Sequence, residues 1–354
     1  MVSSQTSHRK DDHLRINFEE DVSFDTLTTG FECYRFIHQA LPEIDLDEVN
    51  TTITFLGCKL ALPMLIASAT GGTPRSGQIN RMLAEVAQEA GIGMGLGSMR
   101  AALEDPDICW TFQVRRYAPD ILLLANLGAV QLNYNYGPDD CQRIVDMVEA
   151  DGLYLHLNPL QEALQPEGNT RFSGLLQRIE AICKALEVPV IVKEVGWGLS
   201  HQAAQQLIGA GVAALDVAGA GGTSWSQVEM HRSQDAVQRE VAATFRDWGI
   251  PTAEALHMVR EVAPNIPLIA SGGLRTGTEI AKALALGADL TTIAGPLIKA
   301  ADDSAQALRD CIEIIRRQLR IAMFATAAKD IPSLKQTPLI HEGKSLEFQV
   351  NRDG

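Results

Sequence analysis

Eight short apolar runs alternate with longer amphipathic stretches from residue 62 onward, and no other feature limits the fold of this chain as strongly. The runs are "LPMLIASAT" (62–70), "IGMGLGS" (92–98), "ILLLANLGA" (121–129), "GLYLHLN" (152–158), "VPVIVKEV" (188–195), "VAALDVAGA" (212–220), "PLIASGG" (267–273) and "LTTIAG" (290–295). Helix-like stretches lie at 78–90, 139–150, 171–186, 200–209, 252–263 and 276–286, with a last one near 304–326. Continuous apolar strands separated by helices imply a parallel sheet covered on both faces. Eight such units predict a closed (β/α)8 barrel, the TIM-barrel class of α/β fold. A doubly wound open sheet is the competitor, but no GxGxxG turn follows the first strand. "GIGMGLGS" (91–98) imitates that turn, yet its glycines lie within the second strand rather than opening a helix.

The barrel is expected over residues 62–326. Residues 1–61 form an N-terminal extension in which "TTITFLG" (51–57) is a strand candidate able to plug the N-terminal end of the barrel, and residues 327–354 read as a polar tail. Hydrophobic content of 46% supplies ample core for one large domain. The net charge of −14, from 44 acids against 30 bases, disfavours nucleic acid or an anionic membrane as partner. An anionic ligand must then be held by a local basic cluster. The six cysteines are scattered without the short spacings of zinc or redox pairs, and no stretch approaches the roughly 18 apolar residues of a membrane span. A soluble, cytoplasmic protein with reduced cysteines is expected.

Barrels of this kind place their active site at the C-terminal ends of the strands. Those ends supply Ser68, Ala69 and Thr70; Ser98, Met99 and Arg100; Asn126; His156 with Asn158; Lys193 with Glu194; the glycine cluster running to Thr223; Gly272 and Gly273; and Ala294 with Gly295. "SGG" followed by a helix near Thr276, and "AG" ending the next strand, put free backbone amides from two adjacent loops around one anion. A charged lysine at position 193 among apolar walls is costly unless it meets an anion. Facing the pyrimidine end of a flavin, it stabilises negative charge on the reduced ring. His156 and Asn158 are two apart on a strand and face one side together. Gln161 and Glu162 follow Pro159 in an expected loop at the same strand end.

"RKDDH" near the start, "ATGG" (69–72), "GLGSMR" (95–100), "HLNPLQE" (156–162), "VKEVGWG" (192–198), "AGAGGTSW" (218–225) and "SGGLRTG" (271–277) together resemble the type 2 isopentenyl-diphosphate isomerases. The resemblance implies an FMN-dependent (β/α)8 enzyme of isoprenoid biosynthesis that needs reduced flavin, supplied by a reductant such as NADPH, together with Mg2+. It implies FMN contacts at Ser68, Ala69, Thr70, Ser98, Asn126, Lys193, Thr223, Gly272, Gly273, Arg275, Ala294 and Gly295. It implies that Arg9, Lys10, His13, Ser98, Met99, Arg100, His156, Asn158 and Gln161 hold a prenyl diphosphate, with Glu162 on magnesium. Catalytic roles are implied for Lys193, His156, Gln161 and Trp225, and a homo-oligomer, tetramer or octamer, is expected. Methionine often stands in the family where Ala69 stands here, which touches only a packing contact.

Three other functions compete. A flavin oxidase of 2-hydroxy acids shares "SGGLRTG" but needs a histidine base after the sixth strand, where this chain has "AGAGGTSW". Trp225 in that segment suits an apolar prenyl wall, or a cation over its ring face. A nucleotide dehydrogenase needs a loop cysteine that the same segment lacks. A non-catalytic flavin or phosphate sensor would have no use for Glu162, His156 and Gln161 converging opposite the flavin. The "HRKDDH" segment (8–13) serves the site only if it folds over it as a lid, from its own or a neighbouring subunit.

Overall fold

The computed structural model describes residues 2–68 and 70–342. All eight apolar runs contribute one strand each: β1 (Met64–Ile66), β2 (Gly93–Gly95), β3 (Leu123–Gly128), β4 (Gly152–His156), β5 (Val190–Lys193), β6 (Ala214–Asp216), β7 (Leu268–Ala270) and β8 (Leu290–Ile293). They are parallel and pair in chain order, and β8 closes on β1 through Thr291↔Met64, Thr292↔Leu65 and Ile293↔Ile66. Closure removes the doubly wound sheet, which would keep two open edges. The strands are shorter than the runs because the last residues of each run leave the ladder to form the rim.

The barrel floor is sealed from below. Strands Ile53–Phe55 and Cys58–Leu60 form a hairpin whose turn residues Leu56 and Gly57 both have positive φ, 47° and 82°, the geometry of a two-residue primed turn. Its Phe55 and Leu60 pack with Leu65, Leu124, Tyr154, Ile191, Ala214, Ile269 and Leu290 from inside the barrel. The "TTITFLG" segment is therefore the expected plug. Each such fully buried side chain contributes about 1.5–3 kcal/mol of hydrophobic stabilisation.

The outer helices follow local rules. Pro74–Ala90 starts at the N-cap Thr73, whose side chain accepts from Ser76 N, has proline in its first turn, and ends at Gly91 with φ 65°. Ala305–Phe324 buries Leu308, Ile312, Ile315, Leu319 and Met323, a stripe at helical spacing, and packs on the neighbouring helices Gly277–Ala285, Gly295–Asp303 and Pro74–Ala90.

Three expectations change. Pro159–Leu164 is a helix and not a loop, because Pro159 is preorganised for the first helical position. The stretch expected as helix over 171–186 begins only at Leu175, after Gly174 with φ 74°. The polar stretch after residue 327 is ordered as far as the described residues run. Ile331–Lys335 is a helix with Ile331 and Leu334 buried, and Leu339–His341 pairs antiparallel with Tyr34–Phe36. Two well-placed aliphatic side chains outweigh the polar average there. Residues 343–354 lie outside the described residues.

The basic terminal segment is also helical, Val2–Glu19. It lies across the C-terminal rim: Lys10 Nζ donates to Ser98 O after β2 at 2.9 Å, and His13 reaches Glu229 in the helix after β6. β2 and β6 are four strands apart in an eight-stranded ring, so the helix spans the mouth. Ile16 and Val22 pack with Val228 and Trp225 to hold it there.

Candidate active site

Register places three charged or polar side chains at one level. Gly128 pairs with His156, His156 with Lys193, and Lys193 with Asp216. Ladder partners in adjacent parallel strands point the same way, so His156, Lys193 and Asp216 share the inner face. Asp216 accepts from Tyr154 Oη at 3.1 Å and from Ser271 Oγ at 2.5 Å. Lys193 Nζ donates to Glu194 O at 2.7 Å, and among the described residues no carboxylate forms an ion pair with it. Burial drives the Lys193 ammonium below its ordinary value, against the pull of Asp216 and Glu194. Burial also raises Glu194 to about 7, although its Oε2 accepts from the amides of Val195, Gly196 and Trp197. The barrel thus offers a buried cation near Asp216 and Glu194 but in direct ion pair with neither.

Beside it, His156 Nδ1 lies 2.8 Å from Asn126 Oδ1, and Asn126 Nδ2 donates to Leu96 O at 3.0 Å. The second bond orients the amide, so the first requires the proton on His156 Nδ1 and leaves Nε2 as acceptor. Burial, then the charges of Lys193 and Arg9, push His156 down to about 3. It is neutral at pH 7. Asn158 Nδ2 donates to Gln161 Oε1 at 3.1 Å and to Glu162 Oε1 at 3.0 Å, while Asn158 Oδ1 is buried without a partner. Glu162 Oε2 accepts from Gln165 Nε2 at 2.7 Å and from Asn169 N at 2.5 Å. Its donors are neutral groups, so its negative charge stays available to a cation. Among the described residues no three His, Cys, Asp or Glu side chains converge as metal ligands; Glu162 stands as a single carboxylate beside the open acceptor of Asn158.

The arm completes the roof. Burial lowers Arg9 and Lys10, the latter to about 7 with Arg9 adding to the effect, and Lys10 Nζ also lies 4.8 Å over the Phe112 ring. The rings of His13 and Trp225 meet edge to face at 5.2 Å. The structure adds Glu229, which the sequence reading missed. Its Oε1 faces His13 Nε2 at 3.0 Å and accepts from Gln161 Nε2 at 3.1 Å, and its Oε2 accepts from Arg232 Nε at 2.8 Å. Its position four residues after Trp225, in a helix, carried no distinguishing signal.

The expected flavin contacts divide. Ser68 Oγ is buried with no partner, Thr70 is buried, and Thr223 Oγ1 donates to Asn17 Oδ1 of the arm at 3.3 Å. Gly272 has φ +99°, and a Cβ there would lie 2.0 Å from Gly219 O, so only glycine fits this close approach. Ala294 and Gly295 are exposed, a Cβ on Gly295 would meet open space, and the helix from Gly295 has no side-chain cap. The helix after β7 does not offer its amides as expected: Glu279 Oε2 already accepts from Arg275 N and Thr276 N, and Gly277 N donates to Gln318 Oε1. That capping box leaves the Gly272 and Gly273 turn and the Gly295 helix start as the segments whose backbone could meet an anion. The Arg275 side chain is exposed at its edge. Met99 is fully buried in the core, and what it presents to the rim is backbone. Ala69 lies outside the described residues.

Comparison with known proteins decides among the competitors. Residues 159–341 match the family described as FMN-dependent dehydrogenase. A relative from Synechocystis sp. named isopentenyl-diphosphate delta-isomerase is 55% identical over 334 residues, covering 94% of this chain and 96% of that protein. Relatives of the same name from Nostoc sp. and Rickettsia felis are 53% and 54% identical, covering 95% and 94% of this chain and 96% of each relative. The chain belongs to the isopentenyl-diphosphate delta-isomerase family. Among solved structures, a mandelate oxidase with (S)-2-phenylpropionate superposes with a TM-score of 0.66 at 17% identity, over 96% of this chain and 98% of that one, and shares the fold. As an isopentenyl-diphosphate delta-isomerase family member, the chain has no histidine in the loop after β6. The histidine of the helix that follows, His231, lies 3.8 Å from Glu20.

Proposed function

We propose that the protein interconverts isopentenyl diphosphate and dimethylallyl diphosphate. The observation that carries this reading is the identity of 53–55% with named isomerases over almost the whole chain, joined to a barrel mouth whose polar groups suit a flavin and a diphosphate and to a loop after β6 without a histidine.

The residues fit FMN. The orphaned Ser68 Oγ, the Lys193 ammonium without a carboxylate ion pair among the described residues, and the backbone amides at Gly272, Gly273 and Gly295 suit a flavin with its phosphate. Thr70, Ser98, Asn126, Thr223, Arg275, Ala294 and the chain at Ala69 complete the proposed contact set. When bound and reduced, for which NADPH is the proposed donor, FMN supplies an anion and an exchangeable proton beside the double bond. Glu162 and Asn158 Oδ1 fit magnesium, a hard ion content with one carboxylate and several neutral oxygens.

The chain's own work is positioning. Arg9, Lys10, His13 and Arg100 bring donors to the diphosphate, with Ser98, Met99, Asn158 and His156 lining the space beside it. Neutral His156 offers Nε2 as an acceptor and does not repel Lys193. Gln161, held by Glu229 and Asn158, lies with Trp225 against the prenyl chain, where the indole face stabilises positive charge on carbon. Lys193 holds negative charge opposite that cation, in a site the arm helix seals from water. The substrate is a small molecule; a homo-oligomer in the cytoplasm is proposed, and among the described residues no helix is long and apolar enough to cross a membrane.

The test is to incubate the purified protein with isopentenyl diphosphate, magnesium, FMN and a reductant, with 2-hydroxy acids as controls. Dimethylallyl diphosphate should accumulate. Oxidation of a hydroxy acid with no isomerisation would return the protein to the oxidases.

A further inference from the structure

The chain between the Pro159–Leu164 helix and residue 169 carries no motif, yet it folds back tightly onto Glu162. A Cβ on Gly168 would lie 1.7 Å from Glu162 O, and Gly168 N donates to Gln165 O at 3.0 Å. The close turn delivers Asn169 between two groups of the site. Its amide N–H donates to Glu162 Oε2 at 2.5 Å, and its Oδ1 accepts from Arg100 Nη1 at 3.2 Å and from Gln131 Nε2 at 3.0 Å. We propose that Asn169 is a positioning residue that locks the magnesium carboxylate of Glu162 and the diphosphate guanidinium of Arg100 into one fixed relation, so that metal and diphosphate bind as a unit. This rests on the functional reading above.

The residue type matters. Arg100 Nε is already paired with Glu104 Oε1 at 2.7 Å, and a second carboxylate would cancel the charge a phosphate needs. A neutral amide oxygen orients the guanidinium and leaves that charge free. The backbone N–H does the same for Glu162, fixing one oxygen without supplying a cation that would compete with magnesium. Groups of this kind behind metal ligands set ligand orientation, and their loss typically costs about 10–100-fold in affinity or activity.

The experiment measures binding of magnesium pyrophosphate by calorimetry in the FMN-loaded protein, and steady-state kinetics with isopentenyl diphosphate across magnesium concentrations. Asn169→Ala keeps the backbone N–H on Glu162 but frees Arg100, so it should weaken pyrophosphate binding and raise KM by about tenfold, raise the magnesium midpoint through the weaker diphosphate, and leave kcat within about threefold. FMN content and melting temperature should be unchanged. Asn169→Asp satisfies both donors, so the fold is kept, but it adds charge. Pyrophosphate binding should weaken again while the magnesium midpoint moves down instead of up. Wild-type binding and midpoints in both variants, or losses that track FMN content and melting temperature, would overturn the proposal. A wild-type protein that binds magnesium pyrophosphate through Asn169 yet isomerises nothing would instead overturn the functional reading.

Discussion

His13 Nε2 stands 3.0 Å from Glu229 Oε1 although 216 residues separate the two in the chain. Gln161 donates to the same oxygen and Arg232 to the other, so one carboxylate joins the arm helix, the helix after β4 and the helix after β6. Burial opposes the charge on Glu229. The hydrogen bonds and charges of His13 and Arg232 prevail and hold its carboxyl down to about 2. The arm is docked on an ionised, fully enclosed acid.

Glu229→Ala should release the arm, because His13 and Gln161 lose their acceptor at a cost of about 1–3 kcal/mol. Limited proteolysis within residues 1–20 should accelerate, and KM should rise. In the unaltered protein, a folded value below the ordinary 4.5 means that Glu229 stabilises docking fully above that value. The contribution is lost as pH falls from 4.5 toward 2. Unchanged protease protection in the variant would remove Glu229 from the latch.

Glu162→Gln should keep its FMN, read by absorbance, and lose most turnover, part of which returns at high magnesium. The amide oxygen keeps the bonds on one side only, because its NH2 then faces donors on the other, and the charge that a divalent ion requires is gone. A variant with the same rate and the same magnesium dependence would take Glu162 out of the metal site.

Arg9→Ala and Lys10→Ala should each raise KM tenfold or more, since a charge-assisted contact is worth about 1.5–3 kcal/mol. Lys10 also predicts a proton signature. Undocked it titrates near its ordinary 10.5, and docked near 7. The docked arm therefore binds fewer protons between those values, and docking without substrate strengthens as pH rises through that window. A diphosphate restores the ammonium, so at pH 8 pyrophosphate binding should take up as much as about one proton per site. Calorimetry in two buffers of different ionisation enthalpy reads this directly; equal heats would show that Lys10 does not meet the anion.

Lys193→Ala should weaken FMN retention and abolish turnover while altering substrate affinity little. The unaltered enzyme should be inactive with oxidised FMN and active after reduction by NADPH or dithionite. It should consume no reductant per product and incorporate deuterium from heavy water. One NADPH oxidised per product formed would overturn the mechanism.

The barrel was legible because a parallel strand buried on both faces leaves a continuous apolar run, and all eight runs became strands. The rim residues followed from the rule that strand ends face the mouth. His156, Lys193 and Gly272 needed nothing beyond their place in a run. Glu229 and Asn169 were not legible. An acid four residues after Trp225 on a short helix reads like any solvated acid, and it is enclosed only because a terminal helix crosses the mouth. The amides after β7 looked free until Glu279, four residues beyond Arg275, folded back to take them. Local periodicity records which face of a segment is buried. Which distant side chain meets it depends on how strands four apart close into one ring, and that relation has no period along the chain.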